Sequence, residues 1–460
     1  QGCYRLRRGD GPSYCADPRA LRRLPGASLA PDPAALHGYL CFSHVPAPLS
    51  AFAGIHACPG GAEFSWQEGL PEGSGETERT AELRDLLEQA VVRRLGPERE
   101  VAVFLSGGLD SSLIAALLVR LGIRTHLFTL DFGPPWNQEL EYAQQVARHL
   151  ERPLQVVPTG AREIRGAIEA TARALFQPFG DGVTVPLYLL GQAAAATCGV
   201  VFNGEGGDQL FGGWANKPMV AAELYGAEGY SREAAYLETY HRFLGQTDRL
   251  YAPWFRRQAA ELDPGVWLRP ALEAPGFRTL LHRLRAANLR LKGAQNIAPR
   301  CVQLAAAHSL AVRAPFFDEK LAEWSFRLGP EWFLQGSCEK YLLKRAAEPW
   351  LPEAVVWREK RGMGVPIAEW CSGPLRRVIA GRFSSRKLRR QGWLEPHGVR
   401  ELLRAATDPA EFRRRRWGEK VWCLFLGQVW VDVQDPPLDW AAVGESEAAE
   451  KARGRKRGRA

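Results

Sequence analysis

The sequence predicts a doubly wound α/β fold, with a parallel sheet in the first half of the chain and a helix-rich C-terminal half. Three observations carry this. From residue 101 onward, short apolar runs alternate with amphipathic helical stretches, and such alternation implies right-handed crossovers into one parallel sheet. The runs 101–105 (VAVFL) and 200–202 (VVF) are apolar throughout, as strands buried on both faces require. Each of these two runs is followed at once by a glycine-rich turn, and the carboxyl ends of strands are where an open α/β sheet takes its ligands.

In chain order, residues 1–66 are short runs broken by Pro and Gly around an apolar patch of Leu40, Phe42, Val45, Phe52 and Ile55. They read as loops and short elements, the remnant of an N-terminal domain or the joint to one. Residues 67–80 (QEGLPEGSGETERT) are polar and glycine-rich, hence a linker. Leu83, Leu86, Leu87, Ala90, Val91 and Leu95 then recur at helical spacing. Strands follow at 101–105, 126–130, 154–157 and 200–202, with helices at 113–121, 138–150, 161–175 and 185–197 between them. Residues 215–435 read as mostly helical, with no strong strand run.

Composition narrows the function classes. The chain has 460 residues, 46% hydrophobic and 24% charged, which is ordinary for a globular protein and excludes a disordered or collagen-like one. The longest apolar runs, such as 421–426, fall far short of the roughly 18 residues of a membrane span. No signal peptide is visible at the N-terminus, which begins at Gln1. The nine cysteines form no C-x-x-C pair, against zinc ribbons and thioredoxin-like sites, and they read as reduced thiols of a cytoplasmic enzyme. The net charge of +9 suggests nucleic acid until it is located: the last ten residues, KARGRKRGRA, hold six basic groups, and without them the balance is +3. Residues 436–460 therefore read as a disordered basic tail, the only feature that favours a nucleic-acid partner.

The strongest local signal is 106–112, SGGLDSS, between a strand and a helix. Its glycines allow a tight turn, and Ser106, Ser111 and Ser112 bring hydroxyls to backbone N–H groups at the positive end of the following helix. This is a phosphate site without the lysine of a Walker loop. The second motif, 203–214 (NGEGGDQLFGGW), follows the strand 200–202. There Asp208, with Asp110 of the first loop, offers hard oxygens for Mg²⁺, and Glu205 could accept a proton from an attacking amine.

The first loop resembles that of the ATP pyrophosphatases, whose sheet is of the adenine nucleotide alpha hydrolase-like type. Further motifs resemble asparagine synthetases. The segment 203–214 is similar to that family's G-E-G-S-D-E-L-F-G-G-Y. The stretch 308–318 (HSLAVRAPFFD) is similar to H-S-L-E-V-R-V-P-F-L-D. The stretch 339–367 is similar to K-x-x-L-R-x-A followed by L-P…W-R-x-K-x-G-F-x-V-P-I. Residues 178–190 (PFGDGVTVPLYLL) resemble the family's D-P-S-x-x-P-T-Y-L-L stretch, and 36–61 its joint into the synthetase domain. The resemblance places a synthetase domain at 81–435. It implies adenosine contacts from Leu105, Leu130, Asn203 and Gly204, and a pyrophosphate cradle from Ser106, Gly107, Gly108, Asp110, Ser111 and Ser112. It further implies magnesium on Asp110 and Asp208, Glu205 as base, and Lys360 neutralising the leaving pyrophosphate.

The expected chemistry is ATP-dependent adenylation of a carboxylate, then amide formation with release of AMP; the best single reading is asparagine synthesis from aspartate. Gln209 and Gly207 stand where the family has Glu and Ser, which bears on the contacts to the carboxylate substrate. Glutamine-dependent members carry an N-terminal glutaminase domain. About 80 residues precede the synthetase helix, too few for one, and Cys3 is not terminal. Either such a domain or subunit lies outside Gln1–Ala460, or ammonia or a substrate amine is used. A homodimer stays open. The rival readings are an intramolecular amide-forming cyclase, resembling β-lactam synthetases or lasso-peptide cyclases, a tRNA-modifying ATP pyrophosphatase, and a non-catalytic interaction protein on an inherited fold.

Overall fold

The computed structural model describes residues 2–7, 11–58, 75–213, 217–226, 231–240, 242–359, 362–405 and 417–443. Its centre is a five-stranded parallel sheet. The strands are β4 (Glu100–Phe104), β5 (Arg124–Asp131), β6 (Leu154–Pro158), β7 (Val200–Phe202) and β8 (Ala311–Arg313), in spatial order β6-β5-β4-β7-β8. Side chains alternate across it. Val101, Val103 and Leu105 enter one core with Leu87, Leu113 and Phe202, while Ala102 enters another with Phe128, Val201 and Leu310. Both faces of β4 and β7 are covered, which is why these two strands read as unbroken apolar runs.

A three-stranded antiparallel sheet precedes it: β1 (Tyr4–Leu6), β2 (Ser13–Cys15) and β3 (Ile55–Ala57), in order β2-β1-β3. Helix α1 (Pro33–Phe42) starts where the Asp32 carboxylate accepts from the N–H groups of Ala34 (2.8 Å) and Ala35 (3.2 Å) and where Pro33 presets the first helical φ. The helices that build or brace the site follow. They are α2 (Glu76–Leu95), α3 (Leu109–Arg120), α4 (Gln138–His149), α5 (Ala161–Ala174), α6 (Thr184–Ala195) and α7 (Gly207–Phe211). Next come α8 (Leu280–Ala287), a π-helical segment (Asn288–Ile297) and α9 (Ala298–Ala306), which run end to end. Last are α10 (Tyr341–Ala347) and α11 (Trp417–Asp432).

The N-terminal segment shares a core with the far end of the chain. Leu36, Leu40 and Phe52 pack with Trp422 and Trp430 of α11 in one cluster. Within it the buried Tyr39 hydroxyl donates to the carbonyl of Cys423 at 2.5 Å.

Three expectations change. Helix α2 begins at Glu76, so residues 76–80 are helical and not linker; Arg79 and Thr80 are buried there. The helical second half contributes a sheet strand, β8, whose three residues are too few for an alternation to show. The ordered chain runs past 435: Leu438 is buried, Asp439 N–H donates to Leu29 carbonyl at 2.9 Å, and Trp440 stacks on Trp393. The tail boundary at 436 is therefore too early; residues 444–460 lie outside the described residues. All nine cysteines are free thiols. Among the described residues no helix is long and apolar enough to cross a membrane.

Candidate functional site

Strand order locates the site. The chain builds β4, β5 and β6 outward to one side, then returns to place β7 and β8 on the other. The carboxyl ends of β4 and β7 thus flank the switch point, where loops leave in opposite directions and open a crevice. The SGGLDSS loop follows β4 and the acidic turn follows β7. A cavity of about 740 Å³ opens between them.

The first wall is the phosphate loop. Gly108 caps α3 without a side-chain hydrogen bond, leaving the helix's positive end toward the cavity. Ser111 Oγ receives the Ser106 N–H at 3.1 Å and lies 3.0 Å from Ser106 Oγ. Ser106, Gly108, Asp110 and Ser111 line the cavity. Gly107 and Ser112 lie behind it. The Ser112 hydroxyl donates to Gly108 carbonyl at 2.7 Å, and Gly107 carbonyl accepts from Arg358 at 3.1 Å. Leu105 and Leu130 form an apolar floor with Phe132. Arg358 also binds Glu139 of α4 at 2.6 Å, which anchors the segment leading to Lys360 against the loop. Lys360 itself lies outside the described residues.

The second wall is the acidic turn. Asn203 is buried; its N–H donates to Arg313 carbonyl on β8 at 3.1 Å, and its Oδ1 accepts from Glu205 N–H at 3.3 Å, which fixes the turn. Gly204 presses on the phosphate loop so closely that a Cβ there would stand 2.4 Å from Ser111 N. Any side chain would drive the two motifs apart. Asp110 and Asp208 converge, but not on open space: each has an oxygen 2.5 Å from Nζ of Lys340, at the head of α10. Gln209 turns inward, its Nε2 donating to Asn288 Oδ1 at 3.0 Å.

The third wall is basic and comes from the π-helical segment and its neighbours. Lys292 and Arg300 line the cavity with Arg242, Asp181, Glu205 and Glu419. Asp181 binds the Arg300 guanidinium and accepts from Asn296 Nδ2 at 2.8 Å. Burial pushes the Asp181 carboxyl up, but Arg300, Lys292 and Arg242 outweigh it and hold the group at about 2. Burial likewise pulls the Arg300 pKa down, and Asp181, Cys301 and Glu205 together hold it above its ordinary value. A π-helical stretch is uncommon, and such stretches are frequent at functional sites.

The structure therefore brings Leu105, Ser106, Gly108, Asp110, Ser111, Leu130, Asn203, Gly204, Glu205 and Asp208 to one cavity. Sequence reasoning assigned no role to Lys340, Asp181, Arg300, Lys292 or Arg242. Lys340 and Asp181 do sit in motifs quoted above; the other three carry no local signal.

Asp110 and Asp208 suit a hard divalent cation. Asp110 Oδ1 is buried with no hydrogen-bond partner among the described residues, and magnesium is ordinarily held by one or two carboxylates plus substrate phosphates.

Residues 82–432 match the asparagine synthase family. The chain is 23% identical over 443 residues to asparagine synthetase 1 (glutamine-hydrolysing) of Bacillus subtilis, covering 87% of this chain and 68% of that one. It is 24% identical over 327 residues to asparagine synthetase B (glutamine-hydrolysing) of Escherichia coli, covering 67% and 48%. An NH3-dependent NAD synthetase of Campylobacter jejuni aligns with 41% of this chain and 93% of its own, at 15% identity and a TM-score of 0.23. The chain spans about half the length of the curated relatives it matches first, 49% of a Mycobacterium tuberculosis protein that is 28% identical over 321 residues. With its family match running from within α2 to the end of α11, the chain belongs to the asparagine synthase family.

Proposed function

We propose that the chain is an ATP-dependent, AMP-forming amide ligase that adenylates a carboxylate and passes it to an amine. Aspartate is the proposed carboxylate and asparagine the product; ammonia, delivered free or by a glutaminase domain or subunit, is the proposed amine. The observation that carries this reading is the contact at Gly204, which joins a phosphate loop to an acidic turn at the switch point of the sheet.

The proposed roles are those the family resemblance implies. Leu105, Leu130, Asn203 and Gly204, which line the cavity, are proposed to hold the adenosine. The loop N–H groups and α3 receive phosphate oxygens. Magnesium, held by Asp110 and Asp208, would offset triphosphate charge when bound. A substrate carboxylate oxygen attacks the α phosphorus and pyrophosphate leaves, giving an acyl-adenylate. Lys360 is proposed to balance charge on the leaving group. An amine then attacks the acyl carbon, its proton passes to Glu205, and AMP leaves. Adenylation is needed because a carboxylate oxygen is a poor leaving group. A cytoplasmic setting is proposed, since nine free thiols suit a reducing compartment.

The test uses ATP with candidate carboxylates and ammonia. AMP and pyrophosphate should form; ADP and inorganic phosphate as primary products would overturn the reading. In Glu205→Gln, carboxylate-dependent exchange of labelled pyrophosphate into ATP should persist while amide formation falls by about 10²–10⁴-fold. Loss of both steps in a folded variant that still binds ATP would remove Glu205 from the base role.

A further inference from the structure

We propose that Lys340 is a placeholder cation: its ammonium fills the point where Asp110 and Asp208 converge, and the pair becomes a divalent-cation site only when a triphosphate draws the lysine away. This rests on the ATP reading above and adds a residue and an order of events to it.

The seat is built for this side chain. Lys340 Nζ is 2.5 Å from Asp110 Oδ2 and 2.5 Å from Asp208 Oδ1, and the side chain is 3% exposed. Its backbone is held in the left-handed region at φ 56°, a cost that non-glycine residues bear mainly where surrounding structure enforces it. The stem passes Gly213 so closely that a Cβ there would lie 1.8 Å from Lys340 Cε and 2.3 Å from Asp208 Oδ1. Gly213, at the end of the acidic turn, therefore makes room for a lysine that arrives from another element.

Charge explains why the seat is filled and why it must empty. Two carboxylates aimed at one partly buried point repel unless a cation lies between them. One ammonium leaves that group at net −1, and a divalent cation would bring it to zero. Both cannot sit there at once. Magnesium stands about 2.1 Å from its oxygens, so on the oxygens that Lys340 holds it would lie within about 5 Å of the ammonium, three positive charges against two negative ones. Triphosphate resolves the conflict. Its oxygens, received beside Ser111 and Asp110, are new acceptors for a charge-assisted hydrogen bond from the ammonium. A lysine carries its point charge on a flexible stem that can swing the short distance. The consequence is ordered loading: divalent cation enters with the nucleotide and not before it.

The test is binding of Mn²⁺ to the full chain, read by the electron paramagnetic resonance of the free ion, with and without an ATP analogue carrying methylene between the α and β phosphorus. Wild type should bind Mn²⁺ at least tenfold more tightly with the analogue than without it. Lys340→Met should bind Mn²⁺ without nucleotide at least tenfold more tightly than wild type, and adding Asp110→Asn should abolish that gain. Lys340→Gln removes the charge while keeping a polar side chain, so it should show the same gain and keeps the proposal testable if Lys340→Met fails to fold. Nucleotide-free wild type binding Mn²⁺ as tightly as the folded variants would overturn the proposal, as would folded variants that gain nothing. Either result can coexist with AMP and pyrophosphate production, so failure of this inference is distinguishable from failure of the ligase reading.

Discussion

Replacing Asp181 by Asn should separate the basic wall from the acid that balances it. The residue sits among Arg300, Asn296, Arg242 and Lys292, and its carboxyl is held at about 2 against an ordinary 3.8 despite a burial that pushes it up. A carboxyl depressed by that amount contributes on the order of 2 kcal/mol at neutral pH. Removing one partner of a buried ion pair costs about 3–5 kcal/mol, because the other charge stays behind uncompensated. Arg300 is 3% exposed and cannot turn to water, but Asn keeps one acceptor oxygen in place. The expected loss is therefore about 3 kcal/mol, measured by urea unfolding at pH 7.5. Because the folded pKa is depressed, the contribution is complete above pH 3.8 and is lost as pH falls through about 2. The gap between wild type and variant should narrow over that window and not above it. Arg300→Met should cost a similar amount, and the double variant less than the two losses combined, as coupled neighbours behave. A loss below 1 kcal/mol in Asp181→Asn, or strictly additive losses, would refute the pairing as the reason for the depressed carboxyl.

Gly204→Ala should weaken binding of an uncleavable ATP analogue by at least tenfold in titration calorimetry, since the added Cβ would sit 2.4 Å from Ser111 N; unchanged affinity would refute the close approach of the two motifs. Burial holds His37 and His44 at about 4 and His282 at about 3. Depressed histidines are bound by more protons in the unfolded chain, so stability should begin to fall as pH drops below 6.5 and continue to fall down to the folded values. Each group accounts for on the order of 2 kcal/mol by pH 5; urea unfolding that is flat between pH 7 and 5 would contradict their burial.

Much of the sheet was legible because its signals are local. Strands β4 and β7 are buried on both faces and read as apolar runs, and helices α4 and α5 each show one apolar stripe. Both site motifs were legible for the same reason, each being a contiguous run at a strand end. What escaped was short or remote. Strand β8 is three residues long and pairs with β7 across more than 100 residues of chain, so no window of sequence contains its partner. The ordered stretch beyond 435 is held by Leu29 and Trp393, neither of them nearby in sequence.

The sequence by itself determined which residues stand at the strand ends and the chemistry they carry: hydroxyls, glycines and acids beside a helix start. Only the tertiary structure decided what those groups face. Strand order β6-β5-β4-β7-β8 places the two loops at one switch point, and packing of α10 brings Lys340 onto Asp110, 230 residues away. The π-helical segment likewise sets Arg300 against Asp181. Such pairs follow from the closing of long loops, whose endpoints leave no periodic trace in the intervening residues, so the charge balance of the site belongs to the fold and not to any segment of it.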